Sequence, residues 1–325
     1  MWHLIKSIDK VISELTISSD YFSYYTSDYI LHFIDKESLL EINALQFDRD
    51  SNYTLKDNKL YISNDGELRI INIDTNKVLE KFDSGKQYIS ALPDNLYLAS
   101  SYIRAEKKYE NLIFNIEKEV VFEINGEFGV NDFFESFLFL YNRAKDKIAV
   151  ADICAKRKLW DYKVNDIVNG TTIIKDKFLI VPLTQSILKV EIETGNILWR
   201  KNIVLSFFKI NEQKSKIYSL SENTFDIINV ESGEREMQKE LDLQVPSHLT
   251  FYAGGYLYFS GFKGDNVTRI FGAVDVNTGE IDFTQSIEMP NRETYPGTYG
   301  KPVVVGNKLY IRDQSKTLHI YERQN

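Results

Sequence analysis

A chain of 325 residues that is 43% hydrophobic and 13% aromatic can bury a large core, as one all-β domain or as two smaller units. Its net charge of -8 argues against a phosphate-neutralising basic face, so nucleic acid is not an expected partner, and the same sign disfavours anionic membranes. One cysteine, Cys154, leaves no internal disulfide and is compatible with a reducing compartment.

Residues 1–15 lack the basic start, long apolar centre and small-residue cleavage site of a secretory leader, so a cytoplasmic location is expected. No run approaches eighteen apolar residues, and no membrane span is expected. From residue 21 onward a two-part phrase repeats. A short apolar-aromatic strand comes first, and a strand-turn-strand hairpin follows it. YFSYYT (21–26) precedes LHFIDKESLLEI (31–42), and KLYIS (59–63) precedes LRIINIDTNKVLEKF (68–82). NLYLA (95–99) leads into LIFNIEKEVVFEI (112–124), and FLFLY (137–141) into IAVADICAKRKLWDYKV (148–164). The clearest copy is KFLIV (177–181) with LKVEIETGNILWRKNI (188–203). There Val190 and Ile192 alternate with polar residues, a turn at Glu193-Thr194-Gly195-Asn196 reverses the chain, and Trp199 lies on the return strand. KIYSL (216–220) and YLYFS (256–260) open two further copies, and KLYIR (308–312) opens an eighth that ends at TLHIYER (317–323) without an outer strand.

A period near forty residues is that of four-stranded propeller blades. The expected fold is therefore all-β, a single β-propeller domain over residues 1–325. Eight antiparallel blades are favoured, with seven as the alternative if the irregular copy at 21–26 is misread. The segment Trp2-His3-Leu4-Ile5-Lys6 is similar to the outer-strand phrase around Trp199, and is expected to complete the last blade and close the ring. Closure would also remove an aggregation-prone sheet edge.

The phrases ETGNILW (193–199), VNTGEI (276–281) and KPVVVGNKLYIRDQSKTLHIYE (301–322) resemble the quinoprotein-type propeller repeat, in which a Thr-Gly turn caps each hairpin and a tryptophan packs between blades. The likeness spans the chain, but the full Thr-Gly turn survives only in blades five and seven. Blade six has Ser232-Gly233, blade two has Thr75-Asn76, and blades one, three and four have lost the glycine. The quinone-dependent dehydrogenases of that superfamily use a vicinal disulfide that one cysteine cannot make. The resemblance therefore implies a cofactor-free member, similar in size to the outer-membrane assembly lipoproteins although their lipidation cysteine is missing here. Such repeats specify architecture and leave chemistry open.

No metal or catalytic motif is complete. His3, His32, His248 and His319 have no ligand spacing, Asp48-x-Asp50-x-Asn52 lacks the glycine and closing acid of a calcium loop, and Cys154 has no neighbouring histidine. Three connections look longer than the rest: residues 101–109 in blade three, 262–268 in blade seven, and 288–299 between blades seven and eight. In a propeller these loops share one face at the channel mouth. They make Tyr102, Arg104, Tyr109, Lys263, Asp265, Arg292, Glu293, Tyr295 and Tyr299 the candidate binding residues, together with His248; Tyr and Arg are the usual interface anchors. The reading is a non-catalytic propeller that binds a protein or peptide on this face. The acidic surface biases it toward a basic partner, and an accessory or immunity protein of bacterial type would fit. The alternative is a hydrolase or lyase acting on a carbohydrate at the channel mouth, using Arg292, His248, Tyr295 and Glu293.

Overall fold

The computed structural model describes residues 2–324 apart from 19, 47–51, 57, 65–66, 84–87, 93–95, 116, 143–145, 169–172, 176, 206, 265–267 and 288–296. Its strands form six four-stranded antiparallel sheets and one seven-stranded sheet. In blade five the inner strand Ile173–Lys175 is followed outward by Phe178–Pro182, Ile187–Glu191 and Ile197–Lys201. The two middle strands are buried on both sides, which is why they read as continuous apolar runs. The outer strand buries only Trp199.

Eight apolar clusters alternate with the sheets, each filling the wedge between two successive blades. Strand alternation supplies both sides of every wedge. In blade one, Tyr21, Leu31 and Phe33 pack toward blade two, while Phe22, Tyr24 and Ile34 pack toward blade eight. The arrangement is consistent with eight blades around an axis. Ring closure follows the expected route: Trp2–Ile8 pairs antiparallel with Leu318–Arg323, completing the sheet that contains Val303–Val305 and Lys308–Arg312. The likeness of the two outer strands does not extend to the direction of their tryptophans. Trp2 faces back onto Tyr258 and Phe283 of blade seven, whereas Trp199 faces forward onto blade six, so the two tryptophans lie on opposite faces of their strands.

The seven-stranded sheet is two blades stitched together. Lys216–Asn229 reverses on itself at Glu222 (φ 54°), and a bond from Val230 N to Ser215 O brings its ends together. The outer strand Arg235–Val245 then runs on until Leu243 and Gln244 pair with Lys263 and Phe262 of blade seven. Gly261 permits this, since a Cβ there would stand 2.4 Å from the Gln244 carbonyl oxygen.

The turns between third and fourth strands keep one geometry even where their sequence has drifted. Leu39, Asn76, Lys118 and Lys156 hold the left-handed conformation that Gly195, Gly233 and Gly279 hold in later blades. The same backbone bond recurs, from Leu39 N to Asp35 O and from Gly195 N to Glu191 O. Side chains cap the turns, Asp35 Oδ1 accepting from Ser38 N and Asn72 Oδ1 from Thr75 N. A bulge follows in the third-to-fourth pairing of blades one to seven. Where glycine is kept, a neighbour explains it: a Cβ at Gly195 would lie 2.7 Å from the Trp160 ring of blade four, whose Nε1 donates to Ile192 O at 2.6 Å.

Two stability measurements follow. Removing residues 1–8 exposes both faces of the last blade's edge and should lower the melting temperature sharply; Trp2→Ala alone should cost about 3–5 kcal/mol. A full-length-like melt of the truncated chain would refute closure by this strand. Gly195→Ala should destabilise by about 2 kcal/mol, through the left-handed φ and the collision with Trp160. Lys156→Gly should instead stabilise by about 0.5 kcal/mol, because relief of left-handed strain outweighs the added chain entropy. Chemical denaturation of the two variants reads both signs.

Candidate binding site at the channel mouth

Three chain crossings, each leading from the outer strand of one blade to the inner strand of the next, converge on one face. Val11–Leu15 links the closing strand to the inner strand Thr16–Ile17 of blade one. Pro246–Leu249 enters blade seven through a single 3-10 turn, and Thr298–Lys301 enters blade eight. With Tyr310, Arg312, Gln314 and Leu318 of blade eight they line a cavity of about 370 Å³. The third crossing is held from both sides. Ser260 Oγ donates to Gly300 O at 2.6 Å, and Arg269 Nε to Gly297 O at 2.5 Å, both from blade seven, while Thr298 Oγ1 of the crossing donates to Gly261 O of that blade at 3.2 Å. From blade eight, Gln314 Nε2 donates to Thr298 O, and Gly300 N donates to Arg312 O at 2.7 Å.

The charges at this mouth differ from those of the whole chain. Lys301 Nζ pairs with Glu14 Oε2 at 3.0 Å, and Glu14 is largely exposed. Arg312 reaches only the Val11 carbonyl, at 3.5 Å, and has no carboxylate partner among the described residues. Lys209 opens the inner strand of blade six; burial pushes its amine below the usual lysine range and nearby Lys301 pushes it further, with Glu14 opposing. His248 is exposed, its ring edge-on to Phe207 at 5.8 Å.

Of the described residues picked out in the sequence, only His248 and Tyr299 line this cavity. Tyr299 is not a surface anchor. It is 1% exposed, and its hydroxyl donates to Ile287 O at 3.0 Å and accepts from Ile287 N at 2.8 Å, so it fastens the crossing to blade seven. The expected loop at 101–109 is mostly strand: Tyr97–Ile103 and Lys108–Phe114 pair up to Ile103 and Lys108, leaving a four-residue turn. Alternation of Tyr102 with Ser101 and Ile103, and of Tyr109 with Lys108 and Glu110, extends the ladder, and Lys107 (φ 51°) closes it. The rings of Tyr102 (42% exposed) and Tyr109 meet at a tilt, centroids 4.8 Å apart, with Arg104 exposed at the tip. This hairpin belongs to blade three, remote from the cavity. Lys263 is exposed at a strand end, its backbone N donating to Thr268 O. Asp265, Arg292, Glu293 and Tyr295 lie outside the described residues. Glu14, Lys209, Lys301, Arg312 and Gln314 were missed because no motif marks them. Their shared position, at the start of inner strands or beside the crossing into one, was the available signal.

Two nucleophile-histidine-acid arrangements also occur. In blade eight, His319 contacts Asp313 Oδ2 through Nε2 at 2.8 Å and Ser7 Oγ through Nδ1 at 3.2 Å. In blade one, His32 contacts Glu41 Oε2 at 2.6 Å and Thr26 Oγ1 at 3.5 Å. Asp313 spends its Oδ1 on its own turn, accepting from Ser315 Oγ and Thr317 N, and neither described cavity reaches Ser7. Both arrangements tie third strands to neighbouring strands or turns. Among the described residues no group of three or more His, Cys, Asp or Glu is placed to hold a metal ion. Among the described residues no helix is long and apolar enough to cross a membrane.

No family model and no curated protein matches the sequence. Solved structures do match. The chain is similar to BamB from Moraxella catarrhalis, with a TM-score of 0.67 and 11% identity over 100% of this chain and 98% of that one. It is also similar to the C-terminal WD40 domain of Sif2, at TM-score 0.72 and 11% identity over 100% and 99%. A europium-containing methanol dehydrogenase matches at TM-score 0.67 and 9% identity over 99% and 93%. The class is therefore settled: the protein is a β-propeller. At such identities the likeness concerns the fold alone.

Burial raises the Asp313 carboxyl, but bonds from His319, Ser315 and Thr317 outweigh it and hold the group below the usual carboxylate range. A depressed native value stabilises above the unfolded value near ~4 and is lost as pH falls through the native one. Asp313→Asn should therefore cost about 2 kcal/mol at neutral pH. Its deficit against the wild type should narrow below about pH 4, read from denaturation midpoints across pH.

Proposed function

We propose that the chain is a non-catalytic, cofactor-free propeller that receives a protein or peptide partner on the face carrying the chain crossings and the second-to-third-strand turns. The observation that carries this is the coincidence, on one face, of a rigidly pinned cavity and a separate exposed Tyr-Tyr-Arg hairpin. A pre-organised concavity with an aromatic outrigger suits an extended partner, because little entropy is lost in ordering the receptor. At long range the net charge of -8 draws in a partner of positive net charge, and an accessory protein that occludes its partner fits this geometry. The exposed thiol of Cys154 suits a reducing, cytoplasmic setting.

The same thiol provides a control, since it lies on a third-to-fourth-strand turn and so on the opposite face. Coupling a polyethylene-glycol maleimide to Cys154 should leave capture of the native partner unchanged. The same label on Lys107→Cys or Lys316→Cys, each in a Cys154→Ser background, should reduce capture about tenfold or more, roughly 1.4 kcal/mol. Loss of capture on labelling Cys154, with none from the other two sites, would place the partner on the other face.

A further inference from the structure

We propose that the channel-mouth cavity is a carboxylate-binding site that takes Asp or Glu side chains from an acidic segment of the partner; this rests on the reading that the face receives a protein. The chain carries 47 acidic and 39 basic residues, yet the described lining of the mouth holds Lys301 and Arg312 against one carboxylate, that of Glu14, and Lys209 lies near Lys301 outside the lining. Arg312 is the strongest indication. Its planar fork makes two parallel bonds to a carboxylate, but here it makes one long contact to a carbonyl and meets no acid among the described residues. Lys301 rides on a crossing bonded to blades seven and eight, so its position is fixed before any ligand arrives. Lys209 is held close enough to Lys301 for the two ammonium groups to oppose each other, and an incoming anion relieves that repulsion.

The cations come from two blades, six and eight, and are not arranged around one point. That spread suits several carboxylates along a chain better than one terminal carboxylate. Glu14 is 66% exposed on its side chain and acts as a removable stand-in: its Oε2 occupies, 3.0 Å from Lys301 Nζ, the place that a partner's carboxylate would take. The whole-chain charge attracts basic surfaces from a distance, while the mouth selects an acidic element at contact. A partner with an acidic tip on a basic body satisfies both.

The test uses the full chain and fluorescence anisotropy with three labelled peptides: alternating Glu/Gly with an amidated C-terminus, Lys/Gly with an amidated C-terminus, and Gly/Ser with a free C-terminus. The amidated Glu/Gly peptide should bind, and binding should weaken with salt. Arg312→Gln and Lys301→Gln should each weaken it about tenfold, whereas Glu14→Gln should strengthen it several-fold by removing the competing carboxylate. Thermal melts confirm that the variants fold; Glu14→Gln, which predicts a gain, cannot be mimicked by misfolding. Equal binding of the Lys/Gly peptide, affinity indifferent to Arg312 and Lys301, or weaker binding by Glu14→Gln would each overturn the proposal. So would binding confined to the free C-terminus, or displacement of the Glu/Gly peptide by equimolar inorganic phosphate. If labels at 107 and 316 block capture while these peptides fail, the face keeps its role and only the acidic segment is lost.

Discussion

The pairing of Trp2–Ile8 with Leu318–Arg323 is the constraint on which the remaining architecture depends. Every blade is apolar on both faces, so a linear stack would leave two such faces in water. At the seam those faces are the Phe22 and Tyr24 side of blade one and the Val303, Tyr310 and Ile320 side of blade eight, and they cover each other only in a ring. The closing contact joins residues more than three hundred positions apart, such as Trp2 and Arg323, and pays the largest loop-closure entropy in the chain. The adjacent wedge, where Trp2 meets Tyr258, Phe283 and Tyr321, supplies the apolar burial that offsets it.

The cavity sits at that seam. Val11–Leu15 continues directly from the closing strand, while Thr298–Lys301 and Arg312–Leu318 belong to the last blade and its approach. The Lys301–Glu14 pair and the contact from Arg312 to Val11 thus cross between the two ends of the sequence. A ligand bridging these walls would bind only the closed ring and so stabilise it by mass action. The electrostatic site and the topological closure are one feature seen at two scales.

Much of the fold was legible because its signals are local. Alternation in Leu188–Val190 and the turn at Thr194-Gly195 lie within a few residues of each other, and the forty-residue repeat multiplies each one. Legibility failed where tertiary packing overrides local preference. Nothing in the sequence marks Leu39, Lys118 or Lys156 as left-handed; the hairpin geometry imposes that conformation and the capping bonds hold it. Residues 101–109 look loop-like from their charges, yet the Tyr102–Tyr109 cross-strand pair carries the ladder to the tip. Trp2 was placed in the right strand from its likeness to the Trp199 phrase, while the face it takes could not be read from that likeness. The cavity could not be read at all, since its walls come from positions 11–15, 246–249 and 298–318.

The charge pattern at the mouth is what separates this propeller from a neutral scaffold. Blade interiors are indifferent to chemistry: any set of apolar side chains of suitable volume fills the wedges. Crossings into inner strands are less bound by this duty: Val11 and Tyr299 pack into the wedges, but Glu14 has a largely exposed side chain on a backbone of the same kind. A cation is costly to hold there: burial first, and nearby Lys301 second, push the Lys209 amine below the usual lysine range. Glu14 already offsets part of this at Lys301, 3.0 Å away, whereas Arg312 meets no carboxylate among the described residues, so on the proposed reading Arg312 is the cation with most capacity left for an incoming anion.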